Sequence, residues 1–257
     1  GIITTLYFIS SASIILAGSG ALIHQFFGIP KIIGTLIMLC ISLFFLLRGT
    51  EGLIEVNSFI VPGLILTISL ITTLYIAFGN DVMTIDSIIH APAKKSGVFI
   101  STLLYSGYNI LCSSGVLVPL STKMKKSKTM TIGIVLGALG LTFLSLSINS
   151  LLLINQPYIY EYEIPLLFIA QRFGPIVQAI LSMIILLEMF STEVSDVYSI
   201  GKTLEQTFKI KFNLGIVIVL AIALPISQIG FGTLISTLYP MFGFLSLIFI
   251  AQCIIFY

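Results

Sequence analysis

The sequence predicts an all-α, polytopic transmembrane helix bundle. Two observations carry this. Hydrophobic residues make up 57% of the 257 residues and charged residues only 9%, whereas soluble domains carry about 25% charged residues. Uncharged apolar runs of bilayer-crossing length also recur along the whole chain, with the charges gathered between them. Such a chain cannot cover a water-facing surface, so a lipid bilayer is its expected solvent.

A crossing helix needs about 20 mostly apolar residues. Eight spans are predicted, near residues 3–27, 30–48, 56–78, 97–121, 129–154, 175–200, 212–227 and 233–257. The first carries no charge, with His24 near its end. The second is short, apolar, and bounded by Lys31 and Arg48. The third and fourth lie within the uncharged stretches 56–80 and 96–122. The fifth begins the uncharged stretch 129–160, whose end must be loop. The sixth starts at Pro175 and runs through Glu188. Residues 212–257 contain no charge at all. As one helix they would reach about 69 Å, twice the bilayer core. They are therefore two spans, turning at Ser227-Gln228-Ile229-Gly230-Phe231-Gly232.

Orientation follows from the lysines and arginines. Arg48, Lys123, Lys125, Lys126, Lys128, Lys202, Lys209 and Lys211 follow the even-numbered spans; Lys31, Lys94, Lys95 and Arg172 follow the odd-numbered ones. The richer side is expected to be cytoplasmic, which places both termini inside. Residues 81–95, with Asp81, Asp86 and His90, read as a solvated outer loop whose spacing fits no standard metal site. Residues 157–174 read as a loop with a short amphipathic helix over Ile164 to Ala170, lying as a lid with Arg172 at the interface. Cys40, Cys112 and Cys253 are far apart in apolar runs and are expected to be small buried hydrophobes. No basic stripe with interleaved aromatics is present, so nucleic acid is not an expected partner. The run starts at Gly1 with no charged n-region or cleavage site before it, and upstream sequence is expected to be missing.

Polar residues inside the spans are the functional signal. The fourth span reads Leu104-Tyr105-Ser106-Gly107-Tyr108-Asn109-Ile110-Leu111-Cys112-Ser113-Ser114-Gly115, with Pro119 following. Its glycines and polar groups at mid-depth predict a local break at Gly107, Tyr108 and Asn109. Unwound backbone there is tolerated only around a cavity, and half-helix ends are a common device for binding solutes at the midplane. The competing reading is a continuous helix whose small residues pack closely on a neighbour. The sixth span places Glu188, Ser191, Thr192 and Ser195 on one face. Their oxygens suit a hard cation such as Na⁺, or Glu188 alone could carry a proton. Glu193 and Asp196 are expected to be solvated nearer the cytoplasm. The first span offers Tyr7 and Ser11 within a small, polar face. Gly133, Gly137 and Gly140 form a GxxxG-type packing face, and His24 reads as a satisfied interfacial histidine. No metalloprotease motif, nucleophile elbow or paired catalytic histidine appears, so an enzyme is not expected.

Glu55-Val56-Asn57-Ser58-Phe59-Ile60-Val61-Pro62, Tyr108-Asn109-Ile110 with Val116-Leu117-Val118-Pro119-Leu120, and Phe190-Ser191-Thr192 resemble the YkvI-like bacterial membrane proteins, a branch of the amino acid–polyamine–cation transporter superfamily with the LeuT-type fold. The resemblance implies that the eight spans are helices three to ten of that ten-helix core, the first two being absent. It implies that the fourth span matches the broken sixth core helix. It also implies that Ser191 and Thr192 stand where the eighth core helix of sodium-coupled relatives contributes to an ion site. The third span lacks the lysine with which some proton-coupled relatives replace sodium, which leaves sodium or a protonated Glu188 as options.

The expected function is a secondary transporter in the bacterial plasma membrane, a symporter coupling a small solute to Na⁺ or H⁺ by alternating access. An amino acid or organic cation is the expected solute. Tyr105, Ser106, Gly107, Tyr108 and Asn109, with Tyr7 and Ser11, are the expected solute site. Glu188, Ser191, Thr192 and Ser195 are the expected ion-coupling residues. No cofactor is expected beyond a bound Na⁺. The alternative is a ligand-sensing receptor on the same scaffold, like a spore-germinant receptor subunit. A channel ranks below both, because the second, seventh and eighth spans offer few polar faces.

Overall fold

The computed structural model describes residues 2–48, 53–78, 97–123 and 127–256. These fold into α1 (Ile2–Phe27), α2 (Lys31–Arg48), α3 (Leu53–Phe78), α4 (Val98–Lys123), α5 (Ser127–Ile154), a 3₁₀ turn (Tyr158–Glu161), the short α6 (Pro165–Gln171), α7 (Pro175–Phe208), α8 (Phe212–Ser227) and α9 (Phe231–Phe256). No strand occurs among the described residues. The expected outer loop at 81–95 lies outside them.

Among the described residues, six helices are long and apolar enough to cross a membrane: α1, α2, α3, α5, α7 and α9. The apolar α8 has 16 residues and is shorter. α4, with 26 residues, is long enough but is not one of the six. The protein is thus a multi-pass membrane protein in contact with lipid. The outer faces of α2 and α5 are built from Ile33, Phe44, Leu136 and Leu139, all exposed on the bundle, as a hydrocarbon solvent requires. Cys40 and Cys253 are exposed in the same way. Both were expected to be buried. Their apolar surroundings in sequence are lipid-facing helix surfaces, not a protein core.

The helix boundaries follow local chemistry. Pro165 and Pro175 occupy the first turns of α6 and α7, where a missing N–H is harmless. Gly28 ends α1 with φ 72°, and its amide reaches the His24 carbonyl at 2.8 Å; a side chain there would oppose the left-handed turn. His24 Nδ1 lies 2.8 Å from the Ile29 carbonyl of the same turn, so its ring is satisfied at the helix end. α7 continues to Phe208, beyond the expected end near residue 200. Lys202 and Glu205 pair across one turn at 2.8 Å, and Lys209 closes the helix in the left-handed conformation.

The chain forms two compact units, Gly1–Ala91 with Leu146–Thr233 and Pro92–Ser145 with Leu234–Tyr257. In the first, α1 is the central helix, enclosed by α2, α7 and α8. Ala12, Leu16 and Leu22 of α1 pack with Met38 of α2, with Val194, Val197 and Ile200 of α7 and with Ile216, Val219 and Ala223 of α8. α1 and α2 touch backbone to backbone. A Cβ on Gly34 would stand 2.9 Å from Ile23 Cβ and 3.1 Å from Gly20 Cα. In the second unit, α4 and α9 approach just as closely at Gly107 and Gly243. By contrast, a Cβ at Gly133 or Gly137 of α5 would meet nothing within 4 Å among the described residues. The expected packing face of α5 therefore does no close packing at those two glycines.

Candidate functional site

The most unusual chemistry lies in the middle of α7. The midpoint of this 34-residue helix falls between Ser191 and Thr192. Just beyond it, Glu193 is 0% exposed and Asp196 is 5% exposed. The two are three residues apart, hence one turn apart on one side of the helix. They share that side with Met189, Val197 and Ile200, all buried, and α1 is the helix packed most extensively on α7. Ser11 of α1 lies beside the Asp196 carboxyl. Neither oxygen of Glu193, nor Oδ2 of Asp196, has a hydrogen-bond partner among the described residues. The ion pairs among those residues are Lys31 with Glu163 and Lys202 with Glu205, so no basic side chain among the described residues pairs with either buried carboxyl. Burying an unpaired carboxylate costs several kcal/mol. A pair placed this way therefore favours whatever brings it positive charge, a proton or a small cation.

This overturns the expectation that Glu193 and Asp196 are solvated interfacial charges. Their depth was measured on a span ending near residue 200. Because α7 extends eight residues further, Glu193 stands at the middle of the helix instead of near its end.

The residues expected to couple an ion lie on a face rotated by about 120° from that pair, at 100° per residue. Thr192 Oγ1 donates to the Glu188 carbonyl at 3.0 Å, and Ser195 Oγ donates to the Ser191 carbonyl at 2.8 Å. Both hydroxyls are thus engaged by their own helix, a common resting place for Ser and Thr in apolar surroundings. Ser191 is buried, and Glu188 is half-buried with Oε2 lacking a hydrogen-bond partner among the described residues. On α1, Tyr7 is fully buried and Ser11 nearly so. Of the expected residues, Ser11 is therefore the one placed against a buried carboxyl of α7.

The expected residues of α4 belong to the second unit. No break occurs there: α4 is helical throughout. Gly107 is instead a contact point, since a Cβ on it would lie 2.8 Å from Ser246 Oγ and 3.1 Å from the Gly243 carbonyl. On the α9 side, a Cβ on Gly243 would collide with the Leu104 carbonyl. Close helix approach through small residues explains the glycines without unwinding. Asn109 Nδ2 donates to the Tyr105 carbonyl at 2.8 Å, again within the helix. Ser106 and Asn109 are exposed. Tyr108 is buried and stacks on Tyr239 of α9, ring centroids 4.2 Å apart, with Tyr105 at 6.2 Å from the same ring. Tyr239 completes an aromatic group that the sequence did not bring together, because nothing local links residues 105–108 to residue 239.

No protein-family model matches the sequence, and no solved structure matches it. Two curated proteins of Bacillus subtilis (strain 168) do. The chain is 31% identical over 247 residues to the uncharacterized membrane protein YkvI, covering 93% of this chain and 67% of that protein. It is 21% identical over 251 residues to the uncharacterized protein YyaD, covering 98% of this chain and 72% of that one. The chain belongs to the YkvI family of membrane proteins.

Proposed function

We propose that this chain is the helical core of a secondary transporter, moving a small solute by alternating access with coupling to Na⁺ or H⁺ in a bacterial plasma membrane. The observation that carries this reading is the buried Glu193–Asp196 pair at the middle of a membrane-crossing helix, facing Ser11 of α1. Ionisable groups inside a membrane bundle are costly and generally mark ion paths or proton relays. In this reading the chain crosses the membrane eight times, α4 and α8 included, with both termini cytoplasmic. The helices correspond to helices three to ten of a LeuT-type core. The coupling ion is carried at Glu193 and Asp196, with Ser11 holding Asp196, and Glu188, Ser191, Thr192 and Ser195 form a secondary polar face. Tyr105, Tyr108 and Tyr239 present an aromatic surface to the solute. The reading includes no enzymatic step.

The test is uptake by the full-length protein in proteoliposomes. Candidate amino acids and organic cations are supplied under an imposed Na⁺ or proton gradient. Glu193→Gln and Asp196→Asn are expected to abolish gradient-driven uptake, while Glu188→Gln and Thr192→Ala reduce it less. The reverse ranking would return the coupling role to the Glu188 face. Saturable solute binding without net uptake under either gradient would replace transport by the receptor reading.

A further inference from the structure

Within the first unit, the junction of α5, the 3₁₀ turn and α6 forms an open-sided cavity of about 440 Å³, within the roughly 300–1,000 Å³ typical of small-molecule sites. Its walls include Asn155, Gln156, Tyr158, Phe168, Gln171 and Arg172. Aromatic surface and amide groups thus surround a single guanidinium.

That guanidinium is held from behind. Arg172 Nη1 donates to the Tyr75 hydroxyl at 3.1 Å, and its Cζ lies 5.4 Å from the centre of the Tyr75 ring. Tyr75 is fully buried. Its hydroxyl donates to Asn155 Oδ1 at 2.7 Å, and Asn155 Nδ2 donates to the Leu151 carbonyl at 2.7 Å. Phe173 meets the Tyr75 ring edge-on, centroids 5.6 Å apart. A relay from the α5 backbone through Asn155 and Tyr75 thus fixes the direction of Arg172. Only one of its five N–H groups is used by the protein among the described residues. No carboxylate among those residues pairs with it, and the nearby Glu163 is taken by Lys31 at 2.7 Å.

A pre-oriented guanidinium with free parallel N–H groups is the preferred protein partner of a planar or tetrahedral oxyanion. We infer that this cavity binds an oxyanion-bearing molecule, with Arg172 holding the oxyanion and Tyr158 and Phe168 covering an apolar or aromatic body. The oxyanion is either the carboxylate of a small solute or the phosphate of a lipid headgroup. The site is independent of the transport reading: it stands if gradient-driven uptake is never observed, and uptake does not require it.

The experiment uses the full-length protein in nanodiscs of phosphatidylcholine, with radiolabelled phenylacetate as the solute probe and phosphatidylglycerol as the lipid probe. Phenylacetate binding is read by equilibrium dialysis and lipid retention by native mass spectrometry. Arg172→Gln is expected to weaken binding of the responsive probe at least tenfold. Tyr75→Phe keeps the ring but removes the orienting hydroxyl, and it is expected to weaken binding several-fold. It also serves if Arg172→Gln fails to fold. Arg172-dependent phenylacetate binding supports the site with a solute as its ligand, and Arg172-dependent retention of phosphatidylglycerol supports it with a lipid. Absence of both kinds of binding, or binding that neither variant alters, overturns the inference.

Discussion

Gln25 and Ile164 hydrogen-bond each other in both directions. The Gln25 side-chain amide donates to the Ile164 carbonyl at 3.0 Å, and the Ile164 amide donates to Gln25 Oε1 at 3.1 Å. One side chain thereby satisfies both backbone groups of the residue before α6 and fastens the α6 segment to the end of α1.

Gln25→Ala removes both bonds and leaves the Ile164 N–H to find water, while the Ile164 carbonyl keeps the Leu167 amide at 3.1 Å. A loss of about 1–3 kcal/mol is expected, read as a lower melting temperature in detergent and faster proteolysis near residue 164. The Lys31–Glu163 pair beside it has half-exposed Lys31 and partly exposed Glu163 side chains. Lys31→Ala should therefore cost less than about 1 kcal/mol.

Glu193→Gln takes away a buried charge while nearly keeping its shape. The melting temperature is expected to hold or rise, since an unpaired buried carboxylate opposes folding, even as coupled uptake is lost. A drop in melting temperature together with loss of uptake would instead mark Glu193 as a structural carboxylate. Ser11→Ala removes the hydroxyl that α1 sets beside the Asp196 carboxyl. It should destabilise the protein by about 1–3 kcal/mol, in the range for hydrogen bonds to charged groups and for buried groups left unpaired.

Gly34→Val forces apart α1 and α2 where a Cβ already has no room. Overpacking of this kind costs about 1–3 kcal/mol. Gly137→Ala, where a Cβ meets nothing among the described residues, should be neutral or stabilise by up to about 1 kcal/mol through helix propensity. Thermal unfolding of the two variants side by side checks the contrast.

Gly243→Ala tests the continuous α4. Its Cβ would strike the Leu104 backbone, which a rotamer change cannot relieve. A loss of about 1–3 kcal/mol is expected, with weakened stacking of Tyr108 on Tyr239, followed by tyrosine circular dichroism in the near ultraviolet. If α4 were instead unwound at Gly107, the substitution would be tolerated.

The spans themselves were legible because length and charge-free composition are local properties. α8 occupies the expected residues 212–227, and α2 starts within a residue of expectation. The end of α7 was not legible. Lys202 read as a loop charge, yet it lies within the helix and pairs with Glu205 across one turn. That misplaced the helix centre and with it the burial of Glu193 and Asp196. Gly107 failed for a different reason. A glycine in an apolar span serves a break and a close approach equally well, and only the partner glycine on α9, far away in sequence, decides between them. Arg172 was expected at the interface of a lid, and it is exposed beside α6. Its contact with Tyr75 spans 97 residues, beyond any local pattern.

The enclosure of α1 bears on how the protein is made. Its serines and glycines suit contact with protein, yet two of the helices that enclose it, α7 and α8, begin some 150 to 190 residues later in the chain. At about 5–20 residues per second, synthesis of that stretch takes on the order of ten seconds or more. Of the helices that enclose α1, only α2 is made before that stretch. The Gly20–Gly34 contact lets α1 and α2 seal their small-residue faces against each other at once. Ser11 must wait for α7 to bring Asp196 beside it, so the buried carboxyl site is among the last parts of this unit to be assembled.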